Sequence, residues 1–305
     1  MKHRRMGQTI ARRDLLVGAA GLALGACSRS QPSPPTGTDS WRELSFEPGE
    51  DAPEGQRALV MAPTAARPLP LLVALHGRGE SGRGLDAGAR GWRDDYELPK
   101  IHERLRSPPL VRGDLQNMVR PERLALLNGS LSETPYEGLC VACPYTPDLG
   151  DRTAEGSRGF ARFLLERLLP RVRSEVGASR DRAMTGIDGV SMGGRLALLV
   201  GLTHPEVFGA VGALQPALRA DDADMLLALA RSAMERAEVK LRMVSSEADP
   251  FLPAIRAVST RLREGGVVHE FLIVPGPHNY AWNRGPGGAE MLLWHERVLR
   301  GLRAP

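Results

Sequence analysis

The first candidate for chemistry is Ser191, in the sequence Gly-Val-Ser-Met-Gly-Gly at residues 189–194. An apolar run precedes this segment and a second apolar run, residues 195–200, follows it, so a strand, a tight turn and a helix are predicted in succession. A serine in such a G-x-S-x-G turn is exposed on a strained backbone, and its glycine neighbours let strand and helix approach closely. The pattern predicts a nucleophile for acyl transfer or hydrolysis. A glycine-rich turn with an incidental serine is the alternative.

A serine hydroxyl is a weak nucleophile near neutral pH, so it needs a base within hydrogen-bonding distance. His278 is the predicted base, because it lies in a proline- and glycine-rich loop, residues 274–282, directly after the last predicted strand. Each remaining histidine is expected to have another role: His3 in a leader, His102 and His295 solvated on helices, His204 capping a helix end, His269 packed in a strand, and His76 organising a loop.

The third expected group is an acid that lies between the nucleophile and the base in chain order. Asp249 follows a predicted strand at 241–245 and is placed to hold one imidazole tautomer and to stabilise the charged ring. Glu247 and the pair Asp221 and Asp222 are competing candidates, although the two aspartates are expected to be solvated in a polar connection.

Acyl transfer also places negative charge on a carbonyl oxygen, which preorganised N–H groups stabilise by about 2.7–4 kcal/mol each. The expected donors of this oxyanion hole are the backbone N–H of Met192, directly after the serine, and that of Arg78. Arg78 lies in residues 77–84, where four glycines predict a loop, because glycine makes both helix and strand costly.

The elements that must position these residues alternate between apolar strands and helical runs throughout residues 41–305. This alternation predicts an α/β fold with a mainly parallel central sheet and helices on both faces. Residues 84–137, irregular and containing prolines and arginines, are predicted to form a cleft wall or a lid. The predicted strands are 41–47, 57–62, 69–76, 139–143, 183–188, 208–214, 241–245 and 267–274, and the predicted helices are 94–106, 158–175, 194–203, 252–263 and 289–302.

Four segments, residues 72–79, 189–194, 249–251 and 276–278, together resemble an esterase group of the α/β-hydrolase superfamily. This group includes the esterase D type and microbial carbohydrate, feruloyl and siderophore esterases. The resemblance extends over about residues 55–303 and has the superfamily's chain order of serine, acid and histidine. It implies an α/β-hydrolase fold, no cofactor or metal, and a small-molecule or carbohydrate ester as substrate.

The sequence departs from that group just before the serine. Relatives commonly have Thr-Gly-hydrophobe-Ser at this point, whereas here the residues Thr-Gly-Ile-Asp at 185–188 precede Gly189. An extra turn is therefore expected at the end of the preceding strand, and Asp188 has no predicted role.

The predicted function is hydrolysis of carboxylic esters through an acyl-enzyme on Ser191, with His278 as general base and Asp249 as orienting acid. A serine acyltransferase or peptidase would use the same three residues. A lipid-anchored binding protein with a hydrolase fold and no turnover is the alternative from another class. Four aromatic residues are candidates for contact with an acyl or sugar group, although aromatics so placed are as often part of a core: Trp92, Tyr145, Tyr280 and Trp282.

The N-terminal segment carries the chain's excess positive charge. Residues 1–26 hold five of the 40 basic and one of the 36 acidic residues, which leaves 35 of each sign in the remainder and argues against nucleic-acid binding. An Arg-Arg pair at 12–13 precedes an apolar run at 15–26 that is too short to span a bilayer. This arrangement resembles a twin-arginine signal peptide, with a signal for the general export route as the alternative.

The sequence Leu-Gly-Ala-Cys at 24–27 resembles a bacterial lipoprotein processing site, in which Cys27 becomes the lipidated first residue. Residues 27–40 are rich in proline, serine and threonine and are predicted to be a flexible tether to a single catalytic domain at 41–305. The expected location is the periplasm or the outer membrane, with a lipid anchor in the bilayer. An ordinary signal peptide with a chance cysteine is the alternative.

Cys140 and Cys143 form a C-x-x-C sequence, which elsewhere indicates redox or metal chemistry. Here the run is apolar and predicts a buried strand, in which residues three apart point to opposite faces and lie about 10 Å apart. That separation is too large for a disulfide without rearrangement. Two buried structural thiols are therefore predicted, with a disulfide as the alternative. No clustered His, Cys or acidic spacing predicts a metal site.

Overall fold

A computed structural model describes residues 40–63 and 68–305. The predicted signal peptide, Cys27 and nearly all of the predicted tether lie outside the described residues. In the two described ranges, no helix is both long enough and apolar enough to cross a lipid bilayer.

A central sheet of eight strands organises the described chain. The strands are β1 Ser40–Phe46, β2 Gln56–Ala62, β3 Leu71–Leu75, β4 Cys140–Pro144, β5 Thr185–Gly189, β6 Ala210–Leu214, β7 Lys240–Ala248 and β8 Glu270–Pro277. Their order across the sheet is β1-β2-β4-β3-β5-β6-β7-β8. β2 pairs antiparallel with β1 and β4, and the other neighbouring pairs are parallel. All eight predicted strands are present, with ends displaced by at most three residues.

The middle strands β4, β3, β5 and β6 are buried over their whole length. Helices cover both faces of parallel strands, so such strands show continuous apolar runs instead of alternation. β3, with the sequence Leu-Leu-Val-Ala-Leu, is an example. Cys140 and Cys143 lie in β4 as buried free thiols, which confirms that prediction.

Twelve α-helical segments connect the strands of the described chain. They are α1 Arg78–Ser81, α2 Leu85–Ala89, α3 Gly91–Asp94, α4 Leu98–Arg106, α5 Pro121–Glu133, α6 Arg158–Arg162, α7 Leu169–Val176, α8 Met192–Thr203, α9 Asp222–Arg236, α10 Leu252–Glu264, α11 Tyr280–Trp282 and α12 Gly288–Leu299. A π-helical segment, Phe163–Leu168, joins α6 to α7, so the predicted helix at 158–175 is continuous.

Two hydrophobic layers lie on opposite faces of the sheet. Phe163 and Leu199 belong to the layer formed with helices α6 to α10, and Leu105 and Leu292 belong to the layer formed with α4, α5 and α12. Complete burial of each such side chain contributes about 1.5–3 kcal/mol to folding. The layers confirm the predicted α/β architecture with helices on both faces.

The prediction that the glycine-rich residues 77–84 form a loop is wrong, because they contain the short helix α1. Residues 84–137 contain the four helices α2 to α5; α4 confirms the helix predicted at 94–106, and the other three were not expected. The reason is tertiary contact: Trp92 and Leu98 are completely buried, and such apolar anchors hold short helices whose local sequence is unfavourable. A cleft wall or lid formed by residues 84–137 stays a prediction.

Helix α9 is a further departure, because no helix was predicted there and Asp221 and Asp222, at its start, were expected to lie in a polar connection. Asp222 is its first residue and is buried, where it pairs with Arg152 at 3.4 Å and accepts a hydrogen bond from the N–H of Arg219 at 2.8 Å. The expectation that Asp222 is solvated is therefore wrong, whereas Asp221 is exposed.

Candidate active site

Ser191 occupies a sharp turn between β5 and α8, as the G-x-S-x-G pattern predicts. Its φ of 58° and ψ of −117° lie in a region that residues with a side chain rarely adopt. Two glycines make the turn possible: a Cβ on Gly193 would lie 2.5 Å from the backbone oxygens of β3 and the following residue, and one on Gly189 would lie 2.6 Å from Gly193. The serine is thereby raised above the carboxyl ends of the strands.

The strand before this turn is regular, so the expected extra turn is absent. β5 continues through Asp188 to Gly189, and Val190 extends the pairing with a bridge to Leu214. Ladder hydrogen bonds to both neighbouring strands hold this segment extended, which local sequence alone did not indicate.

Ser191, His278 and Asp249 are brought together by three different strand ends. His278 Nε2 lies 3.1 Å from Ser191 Oγ, and His278 Nδ1 lies 3.0 Å from Asp249 Oδ1. The carboxylate can only accept, so Nδ1 carries the proton and Nε2 is left to accept from the serine hydroxyl. This is the arrangement in which a histidine can remove a serine proton.

Asp249 is fixed by its own hydrogen bonds at the end of β7. Oδ2 accepts from the hydroxyl of Ser245 at 2.7 Å, and Oδ1 accepts from the N–H of Phe251 at 3.0 Å. Its side chain is completely buried. Glu247, the competing candidate, is exposed and pairs instead with Arg120, so the geometry selects Asp249 as the histidine's partner.

The loop that carries His278 follows β8 directly. Gly276 has φ of +120°, and a Cβ there would lie 2.7 Å from the ring of Trp282, so the turn requires glycine. After the histidine, the side chain of Asn279 accepts from the N–H of Trp282 at 3.0 Å and begins α11. Phe251 packs edge-on against the imidazole, with ring centroids 5.4 Å apart.

Met192 and Arg78 are each the first residue of a helix, α8 and α1 respectively. The first N–H groups of a helix have no acceptor within it and point toward the space before it. Both predicted oxyanion donors therefore have backbone N–H groups that the local structure leaves available to a substrate. The Arg78 side chain extends outward and pairs with Asp148 at 2.8 Å.

His76, at the end of β3, organises the neighbouring loops. The N–H of Thr146 donates to His76 Nε2 at 2.8 Å, so the ring proton is on Nδ1 and donates to the carbonyl of Gly77 at 2.9 Å. The backbone N–H of His76 donates in turn to the Thr146 hydroxyl at 3.2 Å. Burial lowers the pKa of His76 to about 4, so the ring is neutral. It has no contact with the serine that would suit a base.

Gln215 supports the site from the end of β6 and was not singled out from the sequence. Its side-chain amide donates to the hydroxyl of Ser246 at 2.6 Å and to the carbonyl of Pro277 at 3.1 Å. The two acceptors lie in β7 and β8, next to the acid and the base. Gln215 has a positive φ of 42°, which a sequence does not reveal.

Two of the histidines expected to be solvated are instead completely buried, His102 and His295. His102 lies 2.9 Å from the hydroxyl of Tyr136. His295, on α12, lies with Nε2 2.9 Å from Oδ2 of Asp188 in the strand below the serine. Asp188 therefore has a partner that its sequence neighbours did not show. The charged residues beside both histidines in the sequence misled the expectation.

The buried pair Asp188 and His295 fits only because two strands lack side chains beside it. A Cβ on Gly212 would lie 1.9 Å from Asp188 Oδ2, and a Cβ on Gly186 would lie 2.7 Å from His295 Nδ1. Asp188 Oδ1 also accepts from the N–H of Gly189 at 2.6 Å. The pair thus ties the strand that ends at the serine to the last helix.

The predicted aromatic contacts divide into two groups. Trp92 and Trp282 are completely buried, so neither presents a face to a substrate, and that prediction is wrong for both. Tyr280 is 43% exposed, and Tyr145 is half-buried with its hydroxyl donating to the carbonyl of Ser81 at 3.1 Å. Substrate contact by Tyr145 and Tyr280 stays a prediction. Among the described residues, no three His, Cys or acidic side chains are grouped as a metal site requires.

Comparison with known proteins gives matches to esterases. A family model described as "Putative esterase" matches residues 148–261. A solved ferulic acid esterase is similar over 86% of this chain and 99% of its own, with 15% identity and a TM-score of 0.63. The S-formylglutathione hydrolase FrmB of Staphylococcus aureus is similar over 85% and 99%, with 17% identity and a TM-score of 0.59. The enterobactin hydrolase IroE, in complex with DFP, is similar over 86% and 94%, with 19% identity and a TM-score of 0.51.

These similarities identify the architecture as the α/β-hydrolase fold. The esterase family model, which matches residues 148–261 of this fold, supports the prediction of a carboxylic ester hydrolase.

Proposed function

We propose that the protein hydrolyses carboxylic esters through an acyl-enzyme on Ser191, with His278 as the general base and Asp249 as the orienting acid. The observation that carries this proposal is the continuous hydrogen-bonded series from the serine hydroxyl through the imidazole to the buried carboxylate. Such a series is recognised by its geometry and not by its position in the chain.

In the first half of the reaction, Ser191 Oγ attacks the ester carbonyl carbon while its proton passes to His278 Nε2. The carbonyl oxygen takes the electron pair and becomes the oxyanion of a tetrahedral intermediate. When that pair returns, the bond to the alcohol oxygen breaks, and the imidazolium gives its proton to the leaving alkoxide. Asp249 stabilises the imidazolium and holds its tautomer throughout.

In the second half, water attacks the acyl carbon and gives a proton to His278. Collapse of the second tetrahedral intermediate releases the carboxylic acid, and Ser191 Oγ recovers the proton. The N–H groups of Met192 and Arg78 donate to the developing oxyanion in both halves, because both lie at helix starts and have no acceptor within their helix. Protons and electron pairs balance without a cofactor.

The substrate class that we propose is a small-molecule or carbohydrate ester. Two observations support it: the solved relatives include a ferulic acid esterase and an enterobactin hydrolase, and two tyrosines, Tyr145 and Tyr280, stand near the oxyanion helix with part of their surface exposed. An aromatic acyl group would stack on such rings.

A fluorophosphonate probe and p-nitrophenyl acetate test the mechanism. The Ser191→Ala and His278→Ala variants are expected to lose covalent labelling and to lose turnover by a factor on the order of 10⁴ or more. His204→Ala is the matched control: the His204 side chain pairs with the exposed Glu206 and has no part in the proposed reaction, so both readouts are expected to stay unchanged.

The acid is tested with the pair Asp249→Asn and Glu247→Gln. The first removes the carboxylate that His278 Nδ1 contacts and is expected to lower kcat by a factor on the order of 10⁴, whereas the second changes an exposed neighbour and is expected to be silent. A folded parent protein that neither labels nor hydrolyses any ester would refute the proposal and favour a binding protein without turnover.

We also propose export through a twin-arginine signal and a lipid anchor on Cys27. Support comes from the sequence of residues 1–40. The test is metabolic labelling with an alkyne fatty acid, followed by fractionation of periplasm and membranes, for the full chain and for Cys27→Ser. Label and membrane association that depend on Cys27 are expected. An unlabelled parent chain in the periplasm would overturn the anchor.

A further inference from the structure

Glu80 is a buried carboxylate beside the proposed active site that has no place in the proposed reaction. It is the third residue of α1, the helix that begins with the oxyanion donor Arg78, and only 1% of its surface is exposed. Each of its oxygens accepts a phenol hydroxyl: Oε2 from Tyr96 and Oε1 from Tyr280, the latter at 2.6 Å. Burial of a charged carboxylate costs several kcal/mol of desolvation free energy, so a buried Glu80 calls for a structural or functional reason.

One of the two phenols connects Glu80 to the peptide directly before the one that carries the oxyanion donor. The Tyr96 oxygen, which donates to Glu80, accepts from the N–H of Gly77 at 3.2 Å. The carbonyl of Gly77 meanwhile accepts from His76 Nδ1 at 2.9 Å. The N–H of Arg78 belongs to the same peptide unit as that carbonyl. Its direction is therefore set by anchors on both sides, and one of them ends at Glu80.

The other phenol connects Glu80 to the base. Tyr280 lies two residues after His278, at the start of α11, and its hydroxyl reaches across to α1. The contact is close: a Cβ on Gly79 would lie 2.9 Å from the Tyr280 oxygen, so a side chain there would displace the hydroxyl. Glu80 thus joins the loop after β3, which carries the oxyanion donor, to the loop after β8, which carries the base.

The charges around Glu80 keep both phenols as donors. Hydrogen bonding to Glu80 is the largest cause that raises the pKa of Tyr280 to about 12, and burial followed by the charge of Glu80 raises the pKa of Tyr96 well above its usual value. Arg83 Nη2 lies 3.8 Å from Glu80 Oε1 and pairs more closely with Asp95. The two neutral hydroxyls, and not a cation, are the nearest partners of the carboxylate.

We propose that Glu80 is a positioning residue for ester hydrolysis, which fixes the position of the Arg78 N–H relative to His278 through the hydroxyls of Tyr96 and Tyr280. This inference rests on the proposed function, because that relative position matters only if the N–H donates to an oxyanion. Misplacement of a catalytic group by about 1 Å lowers rates by up to about 100-fold, which sets the size of the expected effect.

The test uses Glu80→Gln, Tyr96→Phe and Tyr280→Phe, with Tyr136→Phe as the matched control. Tyr136 is also a buried tyrosine with a hydroxyl contact to a neighbouring side chain, and it lies outside the site. The fraction of competent enzyme is counted by the stoichiometry of fluorophosphonate labelling at saturation. kcat and KM for p-nitrophenyl acetate are then expressed per labelled site, and melting temperatures are measured in parallel.

We expect kcat per labelled site to fall about 10- to 100-fold in Glu80→Gln, Tyr96→Phe and Tyr280→Phe, with KM changed less than about threefold. A trifluoromethyl ketone, whose adduct with a serine carries an oxyanion, should lose affinity by a similar factor, as expected for a transition-state analogue. The double variant of Glu80→Gln and Tyr96→Phe should lose little more than either single variant, because both interrupt one connection. Tyr136→Phe should match the parent in kcat.

Normal kcat per labelled site in all three variants, with only a lowered melting temperature, would mean that Glu80 serves stability alone and would overturn the inference. The two tyrosine variants keep this test decisive if Glu80→Gln fails to fold. Failure of the proposed function would look different, since the parent protein itself would then neither label nor turn over.

Discussion

Replacement of His76 by glutamine should remove a defined part of the protein's sensitivity to acid. Burial lowers the pKa of His76 to about 4 in the folded chain, against an ordinary value of 6.5 once the chain unfolds. Below pH 6.5 the unfolded chain therefore takes up a proton that the folded chain does not. The contribution of the neutral ring to stability is present above pH 6.5 and is lost as the pH falls toward 4.

The size of this effect follows from the two pKa values. One pKa unit corresponds to about 1.36 kcal/mol, so the full loss is about 3 kcal/mol, and about 2 kcal/mol of it falls between pH 7 and pH 5. His76→Gln retains an oxygen that can accept from the N–H of Thr146 but does not titrate. Its free energy of unfolding should therefore fall less steeply with acid than that of the parent.

The assay is urea denaturation of both proteins at several pH values from 7 to 5, with the free energy of unfolding extrapolated to water. Carboxylates and the other histidines affect both proteins alike, so the difference between the two curves isolates position 76. Parallel curves over this range would refute the reasoning, because they would show that the ring takes up a proton as readily in the folded chain as in the unfolded one. An NMR titration of the His76 ring in the folded parent protein would then show whether its pKa is lowered at all.

Three further outcomes are expected. Cys140 and Cys143 should resist iodoacetamide in the folded protein and react after unfolding. The reason is that burial raises the pKa of both thiols, that of Cys140 to about 12. Mass spectrometry measures the alkylation, and rapid alkylation of the folded protein would contradict this. Gly193→Ala should lower the free energy of unfolding by about 2 kcal/mol or more and distort the serine turn, because its Cβ would meet backbone atoms at 2.5 Å. Urea denaturation measures the first effect, and the rate of fluorophosphonate labelling measures the second. Arg242→Met should cost about 3–5 kcal/mol of stability, because it leaves the buried Glu290 with one cation fewer; thermal and urea denaturation would contradict this if the loss were under about 1 kcal/mol.

The sequence carried most of the information about the strands and about the proposed catalytic residues. Buried parallel strands are often apolar throughout, so β3, β4 and β6 stand out locally, whereas β5 contains Thr185 and Asp188 and is marked by the recognisable turn at Ser191 that follows it. His278 was found by elimination, and the structure places it at hydrogen-bonding distance from Ser191.

What the sequence did not reveal depends on contacts between distant segments. His295 follows a tryptophan and precedes two charged residues, and only the packing of α12 on the sheet shows that it faces Asp188. Glu80 lies in a glycine-rich run that favours a loop, so neither the helix nor its burial was expected. Trp282 was predicted to contact substrate but is completely buried. A sequence does not distinguish a buried aromatic from an exposed one.

The buried pair Asp188 and His295 has a consequence for how this protein can diverge. The imidazole of His295 and the carboxylate of Asp188 occupy the space that side chains at positions 186 and 212 would need. Substitutions at these four positions are therefore expected to depend on one another. A lineage that acquires alanine or valine at position 212 collides with the carboxylate unless position 188 has first become small. Such lineages should carry an apolar residue at 188 and a replacement at 295. An alignment of descendants should therefore show the four positions changing together, although they are separated by up to 109 residues in the chain.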